Sequence, residues 1–196
     1  MLSAIVLAAG ESRRMGSPKA SLLTADGRPF IVSILETLTS CVDIDGIIVV
    51  TGIHHDVTVR AMADAHQERV HVVRNADPSR GQLSSLWTGL DAIPADAPAV
   101  LMTLVDVPTI HPSTVRVVVD TWKATHAPIV RPAMGARHGH PVLFDRSVFD
   151  ELRRTPLDAG AKHVVRAHAH ELVNVPVIDP GCLNDVDTPE DYQELR

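Results

Sequence analysis

A loop that is rich in small and basic residues follows the first apolar run of the chain. It extends from Gly10 to Lys19 and contains the cations Arg13, Arg14 and Lys19, in a chain whose formal net charge is -6. Glycine permits positive φ angles, so successive backbone N–H groups in such a loop can turn toward one anion. The loop therefore predicts a binding site for a phosphate-bearing ligand. A surface turn whose basic side chains are merely solvated is the alternative.

The spacing of the glycines in this loop differs from that of two common phosphate-binding motifs. The loop does not follow the GxGxxG pattern of dinucleotide-binding proteins, and it lacks the GxxxxGK[ST] pattern of the P-loop. Ala8 and Ala9, which precede it, are small enough to let a ligand approach the backbone closely. The pattern indicates a phosphate site of another kind.

Isolated carboxylates lie in two later segments of the chain. Asp106 follows the apolar run Ala99–Leu104. A carboxylate at the carboxyl end of a buried strand suits a magnesium ligand that also faces substrate phosphates. Asp185 and Asp187 are two residues apart, which would place both side chains on one face of an extended segment. The alternative for Asp106 and Asp187 is a purely local role at the start of the following helix.

Apolar runs that alternate with helical patterns must position these loops. The predicted strands are Ser3–Ala9, Gly46–Thr51, Val70–Arg74, Ala99–Leu104, Ile129–Val130, Pro141–Phe144 and Leu172–Val177. The predicted helices are Phe30–Cys41, His55–Gln67, Leu83–Ala92, Pro112–Thr125, Asp145–Arg153, Ala159–His168 and Thr188–Leu195. Continuously apolar strands between helices indicate an α/β fold, a single-domain three-layer α/β/α sandwich with a mostly parallel, Rossmann-like sheet. Ligands of such sheets bind at the carboxyl ends of the strands, where the basic loop must lie.

Composition narrows the class of protein further. The 196 residues fit one domain, and the aromatic content of 3% with a pI near 6.0 argues against a nucleic-acid binder, which needs stacking side chains and a basic face. Cys41 and Cys182 are too far apart in sequence for a CxxC pair, and this usage suits a reducing cytoplasm. No apolar run approaches the roughly 20 residues that span a bilayer. We therefore expect a cytoplasmic protein without a nucleic-acid or membrane partner.

The segment LAAGESRRMGSPK, residues 7–19, resembles the signature LAAGxSxRMGxxK of nucleotidyltransferases that activate molybdopterin. These enzymes share the nucleotide-diphospho-sugar transferase fold. With Ala9 in the loop, the chain is similar to the cytidylyltransferase branch, which attaches CMP to molybdopterin and releases pyrophosphate. Four further blocks extend the resemblance, in order, through nearly the whole chain. The resemblance implies CTP or another NTP as substrate, a molybdopterin-type acceptor and Mg²⁺ as cofactor.

The resemblance also assigns roles to residues of the nucleotide and metal site. It implies that Arg14, Lys19 and Asp106 are catalytic and that Asp106 and Asp187 hold the magnesium ion. The residues implied to bind the nucleotide are Leu7, Ala8, Ala9, Gly10, Ser12, Arg13, Arg14, Gly16, Lys19, Asn75, Gly81 and Ser84. For Ser84, plain helix capping is the alternative. The chain departs from the family pattern at Val105, where a small residue is usual.

The acceptor site is expected in the second part of the chain. His140 lies in a Gly-His-Pro segment that the family uses for its acceptor, although a structural turn histidine is the alternative. Asp158 belongs to a block that resembles a family Asp-x-Gly-Ala-Arg element, in which Lys162 replaces the arginine. We therefore divide the single domain into a nucleotide-binding half, residues 1–126, and an acceptor-binding half, residues 127–196. A non-catalytic cofactor carrier that serves a molybdenum enzyme, or a transferase with another NTP or acceptor, stays open.

Overall fold

The computed structural model describes residues 2–63 and 68–195, and these form an eight-stranded sheet. Its strands are β1 Leu2–Ala8, β2 Ile44–Thr51, β3 Val70–Arg74, β4 Ala99–Leu104, β5 Ile129–Met134, β6 Arg137–His138, β7 Val142–Asp145 and β8 Val173–Pro176. The order is β3-β2-β1-β4-β7-β5-β6, with β8 paired to β5. The pairs among β1 to β4 are parallel, whereas β7 is antiparallel to β4 and to β5. The mostly parallel sheet that the sequence predicts is confirmed.

Helices cover both faces of the sheet. They are α1 Phe30–Thr39, α2 His55–Ala61, α3 Gln82–Ala92, α4 Pro112–Thr125, α5 Phe149–Arg154, α6 Ala161–Ala167 and α7 Pro189–Leu195. All of β1 is buried, and its side chains alternate between two cores. Ala4 and Val6 join the core formed with α1 and α4, while Ile5 and Leu7 join the core formed with α3, α5 and α6. The three-layer α/β/α arrangement is thus confirmed.

The boundaries of several elements differ from the sequence predictions. The strand predicted to end at Val130 continues to Met134, because its later residues pair with β8 on one side and with β6 on the other. The last strand of the sheet ends earlier than predicted, at Pro176. The helix predicted from His55 to Gln67 ends at Ala61, and residues 64–67 of that prediction lie outside the described residues.

The second part of the chain contains two further differences in helix starts. Asp145 is the last residue of β7, and its carboxylate accepts the Ser147 backbone N–H, which starts a short 3₁₀ turn before α5. Gly160 has a φ of 65°, a conformation that helical residues do not adopt, so α6 begins at Ala161 and not at Ala159. Among the helices of residues 2–63 and 68–195, none combines the length and apolar composition needed to cross a bilayer.

Candidate nucleotide and metal site

The basic loop leaves β1 through a turn that is fixed by its own backbone. Ser12 and Gly16 both have positive φ, at 52° and 70°. The Ser12 carbonyl accepts the backbone N–H groups of Met15 at 3.1 Å and Gly16 at 3.0 Å, and its hydroxyl accepts the N–H of Lys19 at 3.2 Å. The loop therefore folds back on Ser12, which fixes the backbone from which the Lys19 side chain extends.

The loop forms one side of a pocket of about 270 Å³, which we call the first pocket. Residues that the sequence assigned to the nucleotide and that line it are Leu7, Ala8, Ala9, Gly10, Ser12, Lys19 and Gly81. Asp106 completes the lining on the side of β4. Several of these residues, among them Ala8, Ala9, Gly10 and Gly81, have little or no side chain, which suits a ligand that approaches the backbone closely.

Gly52 supports the loop from behind. A Cβ atom at Gly52 would lie 2.5 Å from the carbonyl oxygen of Ala9, far inside van der Waals contact. The imidazole Nε2 of His54 lies 3.2 Å from the Glu11 carbonyl oxygen. The end of β2 and the residues after it thus fix the position of the loop at Ala9 and Glu11.

The segment after β3 contributes the opposite wall of the first pocket. Gly81, with a φ of 93°, lines the pocket, whereas Asn75 and Ser84 are buried behind it. The Asn75 amide donates to the hydroxyls of Ser84 at 2.9 Å and Ser85 at 3.0 Å, and the Ser84 hydroxyl donates to the Gly81 carbonyl at 2.7 Å. The structure therefore places Asn75 and Ser84 as supports of Gly81.

Two lining residues of this wall were missed by sequence reasoning. Ser85 and Gln82 both face the first pocket. The only available signal was their position in the same serine-containing helix start, and one-dimensional spacing could not decide which of the neighbouring serines faces the ligand.

A compact cluster of charges closes the pocket near Asp106. The Lys19 ammonium donates to Asp106 Oδ2 at 2.9 Å and to Asp187 Oδ1 at 2.6 Å, and Arg14 Nη2 donates to Asp187 Oδ2 at 2.9 Å. Burial alone would lower the pKa of Lys19, but the hydrogen bonds and charges of both aspartates outweigh it and raise that pKa. The Lys19 hydrogen bond holds the pKa of Asp187 below its usual value. Residues that are far apart in sequence thus meet as alternating charges.

The cluster fits a divalent metal at Asp106 and Asp187. Asp106 Oδ1 is buried and has no hydrogen-bond partner in the described part of the chain, which leaves an anionic oxygen available for a ligand. Magnesium in phosphate-transfer sites takes one or two carboxylates and completes its shell with substrate phosphates and water. Residues 2–63 and 68–195 contain no group of three or more metal-binding side chains. The backbone N–H of Val186 donates to the Asp106 carbonyl at 2.8 Å and so joins the two segments that carry the carboxylates.

A second pocket, of about 490 Å³, adjoins the first. Its polar side chains are Arg131, His138, His140, Lys162, Asp185 and Asp187, and it shares Gln82, Leu104 and Asp106 with the first pocket. Burial, followed by the charges of Asp106 and Asp187, raises the pKa of Asp185. Asp106 therefore stands where two ligand cavities meet.

His140 and Asp158, the two predicted acceptor residues, take different places. His140 lines the second pocket. Burial lowers its pKa, so its imidazole is neutral near neutral pH, and its buried Nδ1 has no hydrogen-bond partner among the described residues. Asp158 is exposed and outside the lining, although Ala159 to Lys162 of the same block face the pocket.

Three of the residues assigned to the nucleotide from the loop lie outside the lining of the first pocket. Arg13 is exposed and pairs with Glu11, and Gly16 forms the turn that returns to Ser12. Arg14 is also exposed but reaches Asp187, so its side chain belongs to the charge cluster.

The chain is similar to known proteins over nearly its whole length. The family described as a MobA-like NTP transferase domain matches residues 4–172. The molybdenum cofactor cytidylyltransferase of Escherichia coli strain K12 is 25% identical over 191 residues, 97% of this chain and 93% of that protein. The nicotine blue oxidoreductase of Paenarthrobacter nicotinovorans is 28% identical over 207 residues, 99% of this chain and 96% of that protein.

Solved structures agree with this family match. The crystal structure of Rv0371c from Mycobacterium tuberculosis H37Rv has a TM-score of 0.83 and 31% identity, and the match covers 99% of this chain and 96% of that chain. A structure of the Rv0371c complex with manganese has a TM-score of 0.79 and 29% identity, over 99% and 97% of the two chains. A similar structure has thus been solved with a divalent metal.

Proposed function

Because this chain belongs to the MobA-like NTP transferase family, a family of nucleotidyltransferases, we propose that it transfers CMP from CTP to the phosphate of a molybdopterin-type acceptor and releases pyrophosphate. One observation carries the proposal. Asp106 lies on the shared wall of the two pockets, with one carboxylate oxygen on Lys19 and the other buried and unpaired. A nucleotide in the first pocket and an acceptor in the second would meet there.

The origin of the lining residues supports a division of labour between the two halves of the domain. All lining residues of the first pocket lie between Leu7 and Asp106, within the proposed nucleotide-binding half, residues 1–126. The second pocket takes most of its lining from Arg131 to Asp187, within the proposed acceptor-binding half, residues 127–196. The halves also meet, because Asp187 of the acceptor-binding half accepts a hydrogen bond from Lys19 of the nucleotide-binding half. The second pocket is further lined by four residues of the nucleotide-binding half, Gln82, Met102, Leu104 and Asp106.

The proposed reaction needs positioning and charge neutralisation. An oxygen of the acceptor phosphate attacks the α-phosphorus of CTP, the new P–O bond forms, and the bond to the leaving pyrophosphate breaks in line. An acceptor phosphate is already ionised near neutral pH, so we assign no general base. Arg14 and Lys19 would stabilise the charge on the leaving pyrophosphate. Asp106 and Asp187 would hold Mg²⁺, which supplies charge neutralisation at the phosphates when bound.

Several features support the finer parts of the proposal. Ala9 in the loop and the similarity to the molybdenum cofactor cytidylyltransferase of Escherichia coli support CTP and a molybdopterin acceptor. The manganese complex of Rv0371c supports a divalent metal, for which we propose magnesium. Cys41 and Cys182 are free thiols in the described structure, in agreement with a cytoplasmic location.

The test measures pyrophosphate release from CTP, GTP and ATP, each with molybdopterin and with or without Mg²⁺. We expect release that requires the metal and is fastest with CTP. Thermal shifts with each nucleotide and Mg²⁺ report binding separately, since a bound ligand raises the unfolding temperature by mass action. Equal shifts for the three nucleotides would contradict the choice of CTP. Tight binding without pyrophosphate release would contradict the transferase and favour a cofactor carrier for a molybdenum enzyme.

A further inference from the structure

Arg131 is a cation in the second pocket that the proposed reaction does not use. It lies in β5, opposite Asn174 of β8, and its Nε donates to the Asn174 side-chain oxygen at 2.8 Å. No carboxylate lies within ion-pair distance of Arg131 in residues 2–63 and 68–195, and that bond to Asn174 is the side-chain hydrogen bond the structure gives it. Both terminal NH₂ groups of the guanidinium are therefore available to a ligand.

The surroundings of Arg131 make an unpaired charge costly. The residue is half-buried, and burial lowers the pKa of its guanidinium without any compensating carboxylate. A cation in a partly buried position is stabilised when hydrogen-bond acceptors or an opposite charge pair with it. Since the residue lines a pocket large enough for a small molecule, a ligand bound in that pocket can supply acceptors to the guanidinium.

Carboxylates and the Arg131 cation lie in different parts of the second pocket. Asp106 and Asp187 are bound by Lys19, and the charges that lower the pKa of Asp185 come from Lys19 and Lys162. Arg131 lies in β5, which β7 separates from β4, the strand that precedes Asp106, so the two side chains extend from strands that are not neighbours in the sheet. The pocket thus has a carboxylate end at Asp106 and a cationic end at Arg131.

Two histidines lie on the same wall and lack positive charge near neutral pH. His138 lies in β6, which pairs with β5, and it lines the same pocket as Arg131. Burial and then the positive charge of Arg131 lower the pKa of His138. His140, also neutral, presents its unpaired Nδ1. Arg131 is therefore the permanent cation at this end of the pocket, and its planar fork can donate two parallel hydrogen bonds to one oxygen-bearing group.

We propose that Arg131 determines acceptor specificity by binding an oxygen-bearing group, a carboxylate or a ring carbonyl, at the end of the acceptor remote from the oxygen that attacks at Asp106. The inference rests on the proposed function and deepens it. It describes the acceptor as a small molecule with two poles. The attacking phosphate lies at one pole, and a hydrogen-bond-accepting oxygen lies at the other.

The kinetic test compares wild type with Arg131→Gln and Arg131→Lys, and uses Arg116→Gln, an exposed arginine of α4, as the matched control. We expect Arg131→Gln to raise the KM for molybdopterin by about 10- to 100-fold, the loss of charge-assisted hydrogen bonds, with kcat and the KM for CTP nearly unchanged. Arg131→Lys should not restore the KM, because an ammonium lacks the planar fork. An unchanged acceptor KM in Arg131→Gln would overturn the assignment.

A binding measurement separates this inference from the transferase proposal. Molybdopterin and its dephosphorylated form are titrated, without nucleotide, into wild type and the variants of the kinetic test, and calorimetry measures the binding. We expect Arg131→Gln to weaken the binding of both forms by the same factor, because Arg131 binds the pole of the acceptor that is remote from the phosphate. A penalty confined to the phosphorylated form, or no binding of either form to wild type, would overturn the inference. Weakened binding in a protein that releases no pyrophosphate would support Arg131 and contradict only the transferase proposal.

Discussion

The first and second pockets are built from different materials. In the first pocket, the loop after β1 and the segment around Gly81 contribute Ala8, Ala9, Gly10 and Gly81, residues that have little or no side chain. The second pocket takes its wall from side chains of β4, β5, β6, β7, α6 and the segment before α7. Where the lining residues have almost no side chain, the shape of a pocket depends on the main chain and tolerates few substitutions. Where large side chains form the lining, single substitutions can change the ligand that is bound. Two proteins similar to this chain are named for different activities, a molybdenum cofactor cytidylyltransferase and a nicotine blue oxidoreductase.

Removing the shared carboxylate should have the largest effect. Asp106→Asn keeps the shape but loses the charge that faces both pockets, so we expect pyrophosphate release to fall by about 1,000-fold or more with little change in unfolding temperature. Asp150→Asn, an exposed residue of α5, is the control. An Asp106→Asn enzyme with more than about a tenth of wild-type activity would contradict the role of Asp106 at the junction.

Replacement of Lys19 should lower turnover but strengthen metal binding. Lys19→Met removes the cation between Asp106 and Asp187, and we expect turnover to fall by about 100-fold. In the same variant, Mn²⁺ should bind more tightly to the nucleotide-free protein, because a divalent cation no longer competes with the ammonium. Electron paramagnetic resonance of free Mn²⁺ measures this, with Lys123→Met, a lysine paired with Asp43, as the control. Weaker or unchanged Mn²⁺ binding would show that Lys19 does not exclude the metal.

Gly52 tests whether the first pocket depends on backbone contact. Gly52→Ala forces a Cβ atom against the Ala9 carbonyl, so we expect a loss of about 1–3 kcal/mol in the free energy of unfolding and weaker CTP binding. Gly46→Ala, in the β2 strand that precedes Gly52, is the control, because a Cβ atom there meets nothing within 4 Å, and the stability of this variant should change by no more than about 1 kcal/mol. Denaturant titration and calorimetry with CTP distinguish the variants. Equal behaviour would remove the argument from close approach.

The smallest expected effect concerns an ion pair at the end of α6, the helix that contributes Lys162 to the second pocket. His168, the residue after α6, lies 2.8 Å through Nε2 from Glu151, and this hydrogen bond raises the pKa of His168 above 6.5. A raised histidine pKa stabilises the fold below the unfolded pKa, and the contribution is lost as the pH rises through the folded pKa. His168→Gln should therefore destabilise the protein by less than about 1 kcal/mol at pH 6 and by almost nothing at pH 9. A variant with equal destabilisation at both pH values would contradict this ion pair.

More of the first pocket than of the second could be predicted from the sequence, because the first pocket contains a contiguous loop. The loop is contiguous, so its glycines, alanines and cations could be recognised by spacing, and the position of Asp106 after an apolar strand indicated a carboxylate at the sheet edge. The meeting of Lys19 with Asp106 and Asp187 depends on side-chain reach across three segments, which spacing does not contain. Arg131 had no motif at all, because its significance lies in the absence of a carboxylate partner within the described structure.

The backbone bond from Val186 to the Asp106 carbonyl attaches the segment that carries the second carboxylate to a scaffold of which it is not a part. In chain order, Asp187 follows all the strands of the described sheet, and the cores on the two faces of that sheet take their residues from Leu2 to Val177. Local opening of this late segment would separate Asp187 from Lys19 and Asp106 while the sheet and both cores stay formed. Assembly of the charge cluster is therefore a separate step from formation of the scaffold.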